Sequence, residues 1–125
     1  MKSKPKKSFV ICPRHTKPLV RCKGPFGYYW RCTVSGCDIL CGNSPNSTPA
    51  GKKTRVARRL VHEKFDNMWH GKSKKARSRA YQWLQETMDL TPEECHVGLF
   101  DLGQCHAALD ALQERQDVLG RALGE

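Results

Sequence analysis

The stretch that decides the fold is Ile11–Cys41, which reads ICPRHTKPLVRCKGPFGYYWRCTVSGCDILC. It opens with a Cys-Pro-Arg-His run at 12–15 and closes with a Cys-Thr-Val-Ser-Gly-Cys run at 32–37. Thiolate and imidazole are the usual ligands of structural Zn²⁺, and four such donors must converge from two tight turns. Proline and glycine inside these runs favour the turns, so the two pairs predict a zinc ribbon.

Between the pairs, two short segments rich in β-branched and aromatic residues predict a hairpin. The first strand is expected over 19–22 and the second over 28–31, with the glycines and proline of 23–27 forming the turn. A ribbon of about 35 residues cannot bury enough apolar surface to fold alone, so the metal is expected to supply its folding free energy.

The pattern CPxHxxPLVxxxGxxGYYWxCxxxxC resembles the zinc ribbons at the C-terminal end of bacterial type I topoisomerases. The shared features are the Cys-Pro opening, the Pro-Leu-Val strand, the two glycines, the aromatic strand and the wide second cysteine pair. A histidine stands where that family usually has a cysteine, which gives a Cys₃His set. The resemblance implies one structural Zn²⁺ held by Cys12, His15, Cys32 and Cys37.

Two further cysteines leave the ligand set open. Cys41 lies four residues after Cys37 and could replace either Cys37 or His15, whereas Cys22 lies in mid-strand, where a small apolar side chain packs well. Both are interpreted as bystanders. Disulfides are not expected, because seven cysteines are an odd number and the chain opens without a secretory signal. These features predict a reducing cytoplasm.

The predicted fold class is α+β, with an N-terminal zinc ribbon of β-hairpins followed by a small bundle of three or four helices. Turn-rich and charged segments mark the divisions. The expected divisions are a disordered basic tail (1–8), the zinc ribbon (9–43), a linker (44–53), a helical domain (54–112) and a C-terminal helix extension (113–125).

Apolar residues at spacings of three and four predict two helices after the linker. The first is expected over 55–69, with Thr54 as its cap and Leu60 facing inward, and the second over 74–88, with Ser73 as its cap.

Two capping boxes follow these helices. Thr91-Pro-Glu-Glu94 predicts a short helical turn, and Asp101 with Gln104 predicts the start of a last helix, about 102–119.

The helical half resembles a second family, on the runs VHxxFDxxW from Val61, RAYxWL from Arg79 and ECHVGLFDxxxC from Glu94. These are small phage and prophage proteins known only as zinc-finger-containing, of uncharacterised function. The resemblance covers about residues 9–112. It implies the ribbon-plus-helices architecture and a phage or mobile-element origin, and it implies no activity.

A second metal site is not favoured. Cys95 and His96 are adjacent, and neighbouring residues on a helix point about 100° apart, so they cannot converge with the Cys105-His106 pair without a special turn. His96 and Cys105 alone could meet, but both are expected to pack in the helical core.

The charge is divided unevenly along the chain. Residues 1–81 contain 20 Lys/Arg and 3 Asp/Glu, a net charge of +17, whereas residues 82–125 contain 2 and 9, a net charge of −7. A concentrated positive field is typical of proteins with a polyanionic partner, and together with a ribbon of topoisomerase type it favours nucleic acid. No apolar run reaches the roughly 18 residues of a membrane span, so no membrane association is expected.

We expect single-stranded DNA to be the preferred partner, because aromatic and cationic side chains surround one hairpin. Tyr28 and Trp30 alternate along a strand and therefore share a face. Cations at the start of the second helix oppose its dipole, and a docked phosphate would relieve that cost. The predicted contacts are Arg14, Arg21, Lys23, Tyr28, Trp30, Arg31, Arg55, Arg58, Arg59, Lys74, Lys75 and Arg77.

The alternative hypothesis is a phage effector that binds a host protein and inhibits or redirects defence or nucleic-acid-processing machinery. An enzyme is not expected, because a closed four-ligand zinc leaves no position for a catalytic water and no catalytic constellation is seen. Nothing beyond residue type favours a nuclease built on His62, Asp66 and His96. The protein is expected to be a monomer or a weak dimer.

Overall fold

The computed structural model describes residues 10–124, and the side chains of residues 10–120. The basic tail expected over 1–8 lies outside the described residues. Contacts between residues divide the chain into two units, Met1–Arg55 and Val56–Glu125. Three antiparallel strands come first and three α-helices follow, which confirms the predicted α+β class.

The first unit contains a three-stranded antiparallel sheet in the order β1-β2-β3. The strands are β1 (Val20–Gly24), β2 (Gly27–Arg31) and β3 (Leu40–Gly42). The hairpin between β1 and β2 is the predicted one, and Pro25 and Phe26 form its two-residue loop. Gly27 closes the loop with φ 115°, a conformation that side chains disfavour. The third strand was not predicted.

Trp30 belongs to the core of the first unit. It is 8% exposed, and its indole N–H donates a hydrogen bond to Asn43 Oδ1 at 3.1 Å. Leu19 and Ile39 complete the apolar contacts, with three buried cysteines. The expectation that Trp30 offers a stacking face is therefore corrected, because its ring is enclosed by the ribbon itself.

The helices are α1 (Lys52–Asp66), α2 (Lys74–Met88) and α3 (Leu102–Gly124), with a 3₁₀ turn at Val97–Leu99 before α3. Helix α2 has the predicted bounds, and its cap Ser73 accepts a hydrogen bond from the Ala76 N–H at 3.2 Å.

Helix α1 differs from its prediction at both ends. It begins before Thr54, so Thr54 is not the cap, and it ends at Asp66 rather than Trp69. Turns occupy the residues between α1 and Ser73, and Gly71 among them has φ 78°.

Both predicted capping boxes are present. Thr91 and Glu94 exchange backbone-to-side-chain hydrogen bonds at 3.0 and 3.2 Å, and Asp101 and Gln104 do the same at 2.9 and 2.7 Å. The first box is followed by a turn and the 3₁₀ segment, whereas the second begins α3.

The core of the second unit is apolar and aromatic. Val61, Phe65, Leu84 and Phe100 are its largest fully buried side chains apart from cysteines. Leu60 was expected to face inward but is 40% exposed, because the buried stripe of α1 follows Ala57, Val61 and Phe65 at a spacing of four. None of the helices in the described part of the chain combines the length and apolarity that a bilayer crossing requires.

Candidate metal centre

Four donors from two turns meet in the first unit. Cys12 Sγ lies 3.6 Å from His15 Nδ1 and 3.8 Å from Cys37 Sγ, and Cys32 Sγ lies 3.5 Å from the same His15 nitrogen. All four ligand atoms lie within 4.8 Å of one another. Cys12 and Cys32 are buried, and the other two donors are half-buried.

These distances fit a tetrahedral zinc ion. Bond lengths of about 2.3 Å to sulfur and 2.0–2.1 Å to nitrogen place two sulfurs about 3.8 Å apart, and a sulfur and a nitrogen about 3.6 Å apart. The three separations above match these values, and His15 would bind through Nδ1. The cluster therefore fits one zinc site, as expected.

The first knuckle of the site is a tight turn after Cys12. The Thr16 N–H donates to Cys12 O at 2.8 Å, and the Cys12 N–H donates to Lys17 O at 2.9 Å. Thr16 has a φ of 52°, which reverses the chain directly after His15. The turn brings the imidazole back over the Cys12 sulfur.

The second knuckle runs from Cys32 to Cys37. The Cys37 N–H donates to Val34 O at 3.1 Å, and Gly36 has a φ of 81°, which glycine adopts without strain. The Val34 N–H approaches Cys32 Sγ at 3.5 Å. Such an N–H stabilises a thiolate and orients it toward a metal.

The thiols influence each other's ionisation. Burial raises the pKa of Cys12, but hydrogen bonds from the Arg14 and His15 backbone and from the His15 ring outweigh it and lower that pKa to about 6. For Cys32, the Val34 hydrogen bond lowers the pKa, but burial and the Cys12 and Cys37 sulfurs raise it above its usual value. Three such close thiolates require a cation between them, which a divalent ion provides.

Cys41, Cys95 and Cys105 are buried but lie outside the cluster. Within residues 10–120, whose side chains are described, no second group of His, Cys, Asp and Glu gathers as these four do. Cys95 and Cys105 are enclosed in the helical core, and His96, which follows Cys95, is half-buried.

A carboxylate next to the second knuckle organises the surrounding chain. Asp38 forms an ion pair with Arg14 and accepts a hydrogen bond from the Lys52 N–H at 2.7 Å. The Lys52 hydrogen bond first, and then the Arg14 side chain, hold the pKa of Asp38 below its usual value. Arg55 donates to Asp38 O at 3.0 Å and to Ala50 O at 3.2 Å. Arg14 and Arg55, both predicted as phosphate contacts, therefore have structural partners.

The other predicted contacts of the ribbon are exposed, apart from Trp30. The Arg21 guanidinium lies 4.5 Å from the centre of the Tyr28 ring, which is 47% exposed. Lys23 and Arg31 are exposed on the same hairpin.

In the helical unit, one predicted contact is corrected. Arg58 is 9% exposed, and its Nε donates to Phe100 O at 2.8 Å, so it is a core residue. Arg59, Lys74 and Lys75 are exposed. Arg77 is also exposed, and its guanidinium lies over two aromatic rings, 5.1 Å from that of Trp69 and 5.0 Å from that of Tyr81.

The sequence did not reveal the structural partners of Asp38 or the cavity beside the zinc ligands. One signal for Asp38 was present, because it is the only Asp or Glu in the first 62 residues and directly follows a ligand. Phe26 and Tyr29 line a surface cavity of about 570 Å³ beside Cys32 and Cys37. Nothing in the sequence pattern showed which face of the hairpin would stay open.

The model of a family described as a zinc-finger-containing domain matches residues 13–115. The match includes His15, Cys32 and Cys37, and Cys12 lies directly before it. The chain therefore belongs to this family. No curated protein and no solved structure matches the chain.

Proposed function

We propose that this member of the zinc-finger-containing family is a nucleic-acid-binding accessory protein of phage or mobile-element type, acting in the cytoplasm of a bacterial host. Its ribbon would hold single-stranded or distorted DNA, with the zinc ion as a structural element. The observation that carries the proposal is the charge of the first unit. Residues 10–55 contain eight Lys/Arg and a single carboxylate, Asp38, which is already paired with Arg14.

A surface with so many cations and no unengaged carboxylate has no neutralising partner within its own unit. The phosphate backbone supplies that charge, and counterions released on binding make the interaction favourable and salt-dependent. The zinc site alters this balance little, because Zn²⁺ with three thiolates and a neutral imidazole has a net charge of −1.

The stacked pair of Arg21 and Tyr28 adds a preference for unpaired strands. A guanidinium held over a half-exposed ring offers a cation to phosphate and leaves aromatic surface for a base. In duplex DNA the faces of the bases are stacked inside the helix, so a duplex would make only the contact between the guanidinium and a phosphate.

The first turns of α2 support the proposal independently. Lys74, Lys75, Arg77 and Arg79 are exposed there, and the aromatic rings restrain Arg77. Cations at this end of a helix oppose its dipole, which an approaching phosphate compensates.

A host protein is the second candidate partner. Val118 and Leu119 are 49% and 44% exposed on α3, in the acidic part of the chain. Exposed apolar residues among acidic ones are suited to a protein interface rather than to nucleic acid.

The proposal is tested by fluorescence anisotropy with labelled single-stranded DNA, duplex DNA and RNA at several salt concentrations, on protein with quantified zinc. We expect single-strand preference and a steep loss of affinity with salt. Arg21→Gln should weaken binding and reduce the slope of log K against log salt by about 0.7. Arg115→Gln, on the acidic α3, is the matched control. Absence of binding at low salt with a full zinc complement contradicts the proposal, and a pull-down from host lysate then tests a protein partner.

A further inference from the structure

The hairpin has a cavity on the face opposite Trp30. Its volume is about 570 Å³, and its lining includes Phe26, Tyr28, Tyr29 and Arg31 together with the ligands Cys32 and Cys37. Sites for small organic ligands commonly have volumes of roughly 300–1,000 Å³. All of these residues lie in the first unit.

The strand register explains why this face is open. Trp30 pairs with Arg21 and Cys41, and the Trp30 end of its face of the sheet is covered by the core. Tyr29 and Arg31 alternate with Trp30 and therefore point to the other face. The Tyr29 ring lies against Gly24, where a β-carbon would stand only 3.1 Å from Cε1. A side chain at that position would require the ring to shift by a few tenths of an ångström, so glycine permits this close contact.

Phe26 lines the same cavity from the loop between β1 and β2. It is 102% exposed, so its ring is fully accessible to solvent in a two-residue loop that the strand pairing fixes on both sides. Exposing a phenyl ring in this way is unfavourable, and burial against a partner would remove its apolar surface from water. The ring is therefore available for stacking.

The charge around the cavity selects an anionic or electron-rich occupant. Arg31 is exposed at the cavity, and no Asp or Glu lines it. The single carboxylate of residues 10–55, Asp38, is engaged with Arg14 and Lys52. A ligand with a flat ring joined to a phosphate matches both the aromatic wall and the cation.

We infer that this cavity receives an unpaired nucleobase, stacked on Phe26 and Tyr29, with an adjoining phosphate bound by Arg31. The inference rests on the proposed function and specifies where the ribbon distinguishes single strands from duplex. It adds a base-stacking site beside Tyr28, which also lines the cavity, and it does not use the buried Trp30 ring. Stacking on aromatic rings is open to every base, so little sequence preference is expected.

The test compares an oligothymidylate with an abasic oligonucleotide of the same length and the same phosphates. The zinc-loaded full chain should bind the oligothymidylate about tenfold or more tightly, the effect of a stacked base. Phe26→Ala should remove this difference and leave affinity for the abasic strand unchanged. Because the Phe26 ring is solvent-exposed, the variant should fold and retain zinc. Val118→Ala, another exposed apolar residue, is the matched control and should preserve the difference.

A second variant tests whether the other ring of the cavity can replace Phe26 in stacking. Tyr29→Leu keeps apolar bulk against Gly24 but removes the flat ring, and it should also reduce the difference between the two strands. Arg31→Gln should weaken both strands alike. Equal binding of the oligothymidylate and the abasic strand by the unaltered protein overturns the cavity assignment and leaves the proposed function standing. A difference that persists in folded Phe26→Ala and Tyr29→Leu also overturns it. Absence of binding to either strand at low salt overturns the proposed function and the inference together.

Discussion

The Asp38 carboxylate accepts a hydrogen bond from the backbone N–H of Lys52, with 2.7 Å between Oδ2 and the nitrogen. Asp38 directly follows the ligand Cys37, and Lys52 is the first residue of α1. A carboxylate that accepts from an N–H in the first turn of a helix acts as a cap. The zinc knuckle therefore provides the cap of α1 from a distant part of the sequence.

Replacement of Asp38 should accordingly lower stability. Asp38→Ala removes both the cap and the Arg14 ion pair, and we expect the midpoint of thermal unfolding of the zinc-loaded protein to fall by roughly 4–8 °C. Asp38→Asn keeps an oxygen that can accept from the Lys52 N–H, so its midpoint of thermal unfolding should fall less. Calorimetry distinguishes the variants, and equal midpoints for Asp38→Ala and the unaltered protein would show that this contact does not stabilise α1.

Substitutions of two neighbouring arginines of α1 should affect different properties, one the stability of the protein and the other its affinity for DNA. Arg58→Met leaves Phe100 O without its buried donor and should cost about 1–3 kcal/mol in urea unfolding, with affinity for single-stranded DNA retained. Arg59→Met removes an exposed cation, so stability should change by about 0.5 kcal/mol or less while affinity falls. The reverse pattern would place Arg58 in the binding surface and reject its structural role.

The cysteines outside the cluster should differ in reactivity. Burial raises the pKa of Cys95, and it does the same for Cys105, so neither thiol should be alkylated in the native state. Cys22 is half-buried and should react first with iodoacetamide in zinc-loaded protein. Mass spectrometry of digested samples identifies the modified residue, and Cys22→Ser should remove the early product. Early modification of Cys95 would mean that the helical core opens readily.

The features that the sequence could predict are those that neighbouring residues encode. The Cys12-His15 and Cys32-Cys37 pairs lie within short turns, and the Ser73 cap depends on residues a few positions apart. Neighbouring side chains determine such features, so spacing and residue type suffice to predict them.

The features that could not be predicted depend on distant partners. Alternation places Tyr28 and Trp30 on one face, but it does not show that Asn43 and the knuckles cover the Trp30 end of it. In the same way, Arg58 lies beside the buried stripe of α1. It can be a core residue because its guanidinium donates a hydrogen bond to Phe100 O, which is distant in sequence. The third strand, with three residues, is too short for its pattern to be recognised.

The most direct test of the account is X-ray absorption spectroscopy at the zinc edge on the purified full chain, with the metal content measured on the same sample. The structure predicts one zinc per chain, with three sulfur ligands at about 2.3 Å and one nitrogen ligand at about 2.0–2.1 Å. His15→Ala should remove the nitrogen signal. Four sulfur ligands would mean that a further cysteine such as Cys41 replaces His15, and a chain that folds with no bound zinc would contradict the metal centre altogether.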